Sequence, residues 1–223
     1  MIATKACAVG FGLLVLCSSA RGELCSGAGG ACLAGSPFNN GGGQEIPGTI
    51  QAEEFDYGGE GVGYSDSTDG NSGTKTIQDG GDLNDWGERM DEDVDVTEKI
   101  LFNDDWVVGW IRAGEYLRYT VNVTRDVKGF VSTFLVSAPT GSSGAFRVVS
   151  GGTDCDDYTA DHTGLVDVWP TGDHFEDYKE VKASSRNGLP KGPTFIWLCV
   201  EFGGFNIDSF TMNEDVEGLQ MYD

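Results

Sequence analysis

Residues 115–123 (EYLRYTVNV) alternate from Leu117 onward between apolar and polar side chains. Leu117, Tyr119, Val121 and Val123 fall on one face, and Tyr116, Arg118, Thr120 and Asn122 on the other. A strand turns successive side chains to opposite sides, so this run predicts a half-buried β-strand and not a helix. The signature recurs. Residues 93–97 alternate, and Phe130, Phe134 and Val136 sit at even spacing within 127–138. Further short runs lie at 106–111, 145–149, 165–169, 178–183, 194–202 and 206–212, with turns rich in Gly, Asp and Asn between them. About ten short strands with no long helical period predict an all-β chain, a β-sandwich jelly roll of two antiparallel sheets.

One more strand opens the domain. Residues 49–55 (TIQAEEF) place Ile50 and Phe55 as apolar anchors beside oxygen-bearing side chains at Gln51, Glu53 and Glu54. Gly58, Gly59, Gly61, Gly63, Gly70 and Gly73 then force a long acidic loop. Several oxygens beside such a loop suit a hard cation such as calcium, although a solvated edge strand is the simpler reading of these residues alone. Asp82, Asn84, Gly87 and Asp93 match part of an EF-hand loop, but Trp86 stands where an oxygen ligand is required.

Charge narrows the partners. With 36 acidic and 14 basic residues, the net charge is −22. Such a field opposes nucleic acid and anionic membranes, and equally disfavours sulfated or uronate polymers as main ligands. Neutral partners and cations remain. Lys5, the apolar run 6–17 and Ser18-Ser19-Ala20 compose a secretory signal peptide over residues 1–22. The run is too short to span a bilayer, which needs about 20 residues. A secreted, extracellular protein is expected. Residues 23–45 are Gly-rich and read as a Cys-containing linker, the domain occupies 46–213, and 214–223 is an acidic tail.

Cys7 and Cys17 leave with the signal, so Cys25, Cys32, Cys155 and Cys199 remain. Four cysteines allow three pairings, and local closure favours Cys25–Cys32, which leaves Cys155–Cys199 for the domain. Their spacing does not suit zinc. Asn122-Val123-Thr124 is a glycosylation sequon on the polar face of its strand.

No motif for an activated serine, a zinc hydrolase or a phosphate loop is present. Two carboxylates suited to glycoside hydrolysis can arise by chance among so many acids. Four blocks carry a more specific signal: IPGTIQAEEFDYGGEGVGYSDSTDGNSG (46–73), RMDEDVDV (89–96), VGWIRAGEYLRYTVNV (108–123) and GGFNIDSF (203–210). In this order they resemble the family 6 carbohydrate-binding modules. The resemblance implies a jelly roll, a structural calcium ion and non-catalytic binding of neutral β-glycan polysaccharide by a monomer.

Residue by residue, it implies calcium ligation by Gln51, Glu53 and Asp208, with Gln51 where the family often has Glu. It implies a sugar site in which Asn206 bonds hydroxyls and Phe175 is one aromatic platform. The family's second platform is a Tyr before the Arg of the second block, where this chain has Glu88. Either Trp86 substitutes as platform, with Glu88 reading a hydroxyl, or binding moves to a concave sheet face with help from Trp110 and Tyr116. Trp106, Trp169 and Trp197 are expected to pack. A small secreted glycoside hydrolase, or an extracellular interaction domain with a degraded sugar site, is the alternative.

Overall fold

The computed structural model describes residues 24–25, 32–33, 35–38, 43–73, 88–99 and 105–215. The expected signal peptide, Trp86, the partial EF-hand match at 82–87, most of the expected acidic tail and the Cys25 and Cys32 side chains lie outside the described residues. Every regular element described is a strand. Strands β1 (Leu24–Cys25) and β2 (Cys32–Leu33) pair antiparallel, with the Cys25 backbone opposite Cys32. Then come β3 (Gln44–Ile46), β4 (Gly48–Gln51), β5 (Tyr64–Ser65), β6 (Val96–Glu98) and β7 (Trp106–Val108). Next are β8 (Tyr116–Val123), β9 (Phe130–Ser137), β10 (Gly144–Gly152), β11 (Tyr158–Asp161) and β12 (Val166–Val168). The last three are β13 (Lys179–Ser185), β14 (Gly192–Phe202) and β15 (Asn206–Glu214).

Two sheets form the sandwich. One has the order β11-β10-β14-β8-β3, with β12 beside β10 and β5 beside β8. The other has the order β13-β9-β15-β7-β6, with β4 beside β15. Pairing within them is antiparallel except for β3, which runs parallel to β8. The alternation of β8 explains the layer: Leu117, Tyr119, Val121 and Val123 are buried against the second sheet. Tyr119 meets Phe210 edge-on at 5.3 Å, and Phe134 meets Phe146 at 4.8 Å, so aromatic pairs bridge the two sheets. Removing one such ring, as in Phe134→Ala, costs about 3–5 kcal/mol.

The polar face of β8 departs from simple alternation. Arg118 and Thr120 are buried too, because the chain after β4 folds over them. Asp56 accepts hydrogen bonds from Arg118 Nε (2.8 Å), Thr120 N (2.8 Å) and Thr120 Oγ1 (2.9 Å). Part of the expected linker joins this cover. Ser36 exchanges main-chain hydrogen bonds with Tyr57, Phe38 stacks on Tyr57 at 5.7 Å, and Gln44–Ile46 extends the sheet. Asn122, on the same face, is half-buried between Glu45 and Pro193.

Farther along this outer face, the β10–β11 loop is held by a Cys155–Cys199 disulfide, the pairing expected for the domain. Under that loop Trp197 is buried with Val149 and Cys199, and Tyr116 and Phe195 pack around them. Trp106 and Trp197 pack as expected, whereas Trp169 is 71% exposed.

Candidate functional site

At one end of the sandwich the loops surround a cleft of about 680 Å³, within the range of small-molecule sites. Trp110, Phe175, Tyr178 and Asn206 are among its lining residues. Two glycines explain how Asn206 and Trp110 arrive there. Gly203, between β14 and β15, lets the chain pass against Ile111, whose carbonyl would stand 2.1 Å from a Cβ. Phe205 then plugs the core against Phe146, and Asn206 emerges beside the cleft. Gly109 gives the Asn206 side chain room, since a Cβ there would lie 3.0 Å from Asn206 Oδ1.

Trp110 follows with φ at 48°, the left-handed region that costs a non-glycine residue energy. That bend leaves the indole 52% exposed at the cleft. Phe175, 40% exposed, comes from the loop before β13. Asp177 anchors this loop by accepting hydrogen bonds from the amides of Asp173 (2.8 Å) and His174 (3.0 Å), which hold its carboxyl below the usual range. The Ser137 hydroxyl donates to the Phe175 carbonyl. Tyr178 lies within hydrogen-bond reach of Ser137 and Asn206, and burial pushes its phenol up.

The structure therefore brings Asn206 and Phe175 together, but Glu88 is not among the lining residues of their cleft. Glu88 begins a turn whose next residue, Arg89, has φ at 58° and is drawn inward. The Arg89 guanidinium lies 3.6 Å from the Phe55 ring centroid and 4.4 Å from that of Tyr57, and Nη1 donates to the Phe55 carbonyl at 2.8 Å. Trp110 is an exposed aromatic side chain that shares the cleft with Phe175. Its sequence signal was the Gly before it, which permits a sharp bend, but the direction of that bend depends on Asn206. Tyr116, the other residue weighed for a sheet-face site, belongs to the outer-face cluster with Trp197.

The residues expected to hold calcium meet at one sheet edge. Gln51 on β4 lies opposite Ser209 on β15, and the Ala52 amide donates to the Asp208 carbonyl at 2.8 Å. Glu53 stands in the turn two residues past the end of β4, which is shorter than the strand expected over 49–55. Asp208 is the extra residue of a β-bulge between Ile207 and Ser209. Bulges re-aim side chains, and this one leaves the Asp208 carboxylate buried.

Among the described residues, Glu53 Oε2 is buried without a hydrogen-bond partner. Burial pushes the Glu53 carboxyl up to about 8, a main-chain hydrogen bond opposes the shift, and the charges of Glu54, Asp208 and Asp105 add to it. Among the described residues, the Lys99 ammonium is the one partner of Asp208 Oδ1. These all-oxygen donors and the orphaned Glu53 oxygen fit a hard cation. Among the described residues no three His, Cys, Asp or Glu side chains form a metal site by themselves. A cation site here would need an amide oxygen such as that of Gln51 as well.

No protein-family model matches the sequence, and no curated protein matches it significantly. Solved structures do. A family 6 carbohydrate-binding module from Clostridium stercorarium, in complex with cellobiose, is 18% identical at a TM-score of 0.51. That match covers 78% of this chain and 99% of the other. A second family 6 module, whose binding subsites were dissected by crystallography and calorimetry, is 18% identical at 0.50. It covers 77% of this chain and 97% of its own. With its two sheets and this likeness, the chain has the β-sandwich fold of the family 6 carbohydrate-binding modules.

Proposed function

We propose that the cleft binds neutral β-glycan chains without cleaving them. One observation carries the reading: two exposed aromatic side chains, Trp110 and Phe175, line a single cleft with the buried amide of Asn206. Pyranose rings present apolar C–H faces that stack on flat aromatics, while an amide reads hydroxyls in both directions. The bound cellobiose of the Clostridium stercorarium module supports the ligand class. An open cleft buries little area and must order a flexible chain, so affinity for short oligosaccharides is weak. Affinity electrophoresis against xylan, laminarin, cellulose derivatives and agarose tests this. At least one polymer retards the protein, and Asn206→Ala and Trp110→Ala relieve that retardation. Unchanged mobility of both variants sinks the site.

One observation favours a second reading, glycoside hydrolysis: Glu98 and Glu176 both line the cleft. Sustained release of reducing sugar, abolished by Glu98→Gln or Glu176→Gln, selects hydrolysis over binding alone.

Calcium belongs to the binding reading, held by Gln51, Glu53 and Asp208. When bound, it supplies positive charge to buried carboxylates at the junction of β4 and β15, tying the start of the domain to its end. The orphaned Glu53 oxygen supports this. Chelation then lowers Tm, and an unchanged Tm contradicts it. Secretion, a monomeric state, a glycan on Asn122 and a Cys25–Cys32 bridge complete the extracellular reading. Mass spectrometry of the secreted protein, with and without reduction and deglycosylation, tests cleavage, bridge and glycan.

A further inference from the structure

The calcium reading leaves one neighbour unaccounted for. Lys99 places its ammonium against Asp208 Oδ1, an oxygen that a metal bound by Asp208 would claim. The same Nζ also pairs with Asp105 Oδ2 at 2.9 Å, and the Lys99 amide donates to the Asp105 carbonyl at 2.9 Å. The two carboxylates differ in setting. The Asp208 side chain is 6% exposed and that of Asp105 is 41% exposed, with the Lys99 side chain between them at 14%. Burial disfavours the Lys99 charge, but these ion pairs outweigh it and hold the ammonium above its ordinary range.

Charge shows why one lysine does not complete the cluster. Asp208 and Asp105 present two carboxylates to a single ammonium, and among the described residues the buried Glu53 Oε2 has no hydrogen-bond partner. A divalent ion and an ammonium repel strongly at contact distance, so both cannot share Asp208 Oδ1. The lysine has somewhere to go, because Asp105 already holds it from the solvent side.

We propose that Lys99 is a built-in counter-cation of the metal site, neutralising Asp208 when calcium is absent and passing to Asp105 when calcium binds. The inference rests on the calcium reading and goes beyond it, since it makes calcium affinity a competition with a side chain of the same protein. It also joins the two sites. Lys99 lines the glycan cleft, and its ammonium lies 4.9 Å from the centroid of the Tyr178 ring, which is within hydrogen-bond reach of Asn206. Transfer of Lys99 to Asp105 removes a cation from beside Asp208 and shifts the charge along the wall that carries Asn206.

Calorimetric titration with calcium chloride, and melting in EGTA, test this on the full chain, Lys99→Met, Asp105→Asn and the double variant. Lys99→Met binds calcium at least about tenfold more tightly than the unaltered chain and melts lower in EGTA, because its buried carboxylates have lost their counter-ion. Asp105→Asn weakens calcium several-fold in the unaltered chain and has no effect in the Lys99→Met background. Equal or weaker calcium binding by Lys99→Met overturns the proposal while leaving the calcium reading intact. Equal weakening by Asp105→Asn in both backgrounds makes Asp105 a ligand in its own right and overturns its role as acceptor. Absence of calcium binding in all four proteins overturns the calcium reading, and the proposal with it.

Discussion

Two aromatic groups in this sandwich share composition and differ in setting. Trp110 and Phe175 stand half-exposed in the loop-end cleft, whereas Trp197 is 2% exposed beneath the loop that Cys155 pins to β14. Tryptophan content therefore says little about where a sugar binds. What separates recognition from packing is whether another segment covers the ring. On the outer sheet face the Cys155 loop does so, and Asp56 and the strand-like start of the domain cover the rest of β8. At the cleft, the bends at Gly109–Trp110 and Gly203–Gly204 keep the rings uncovered.

The largest expected effect tests the covered group. Trp197→Ala lowers unfolding free energy by about 3–5 kcal/mol in denaturant melts and leaves retardation on polysaccharide gels unchanged for the folded fraction. An exposed-ring response, with lost binding and intact stability, breaks the contrast. Next is the staple itself. Replacing Cys155 and Cys199 together by Ser, which opens a loop of 44 residues, lowers stability by about 2–4 kcal/mol. Tryptophan emission shifts to the red as water reaches Trp197.

The cleft yields smaller changes in a different quantity. Trp110→Ala weakens glycan binding by about 2 kcal/mol with little change in Tm, the pattern of an interface anchor outside the core. Phe175→Ala, with less ring area, costs about 1 kcal/mol of binding. Equal loss of stability from Trp110→Ala and Trp197→Ala removes the distinction between the groups.

The smallest effect is a pH slope from His162. This buried ring accepts from the Ser150 hydroxyl at Nε2 (2.7 Å) and donates from Nδ1 to the Asn187 carbonyl (2.8 Å), the tautomer that satisfies both partners. Burial holds its pKa below 6.5. Between that depressed value and 6.5 the unfolded chain binds more protons than the folded one, so stability is lost as pH falls through this window. His162→Gln flattens the slope, which melting curves from pH 7 downward record.

Much of the frame was legible because its causes are local. The period of two in β8 needed no partner to read, and the even spacing of Phe130, Phe134 and Val136 predicted a core face that is buried in the structure. The expectation of local closure between Cys25 and Cys32, whose side chains lie outside the described residues, left Cys155 to pair with Cys199, and that second pair is bridged. Asn206 and Phe175 entered through the resemblance, not the residues alone, and they share a cleft. Glu88, which also entered through the resemblance, is not among the residues lining that cleft, and its neighbour Arg89 is drawn inward onto the Phe55 ring.

The sequence by itself determined the all-β class, the inward faces of the main strands, the strong acidic balance and the oxygen-rich start of the domain. Alternation, charge and composition act through neighbours in the chain, so they can be read from it. Only the tertiary structure decided that Asp56 buries the polar face of β8, that Trp110 shares a cleft with Phe175, and that Lys99 meets Asp208 across the bulge. Each depends on segments far apart in sequence approaching within a few ångströms, and no local pattern encodes which of 36 carboxylates an ammonium will reach.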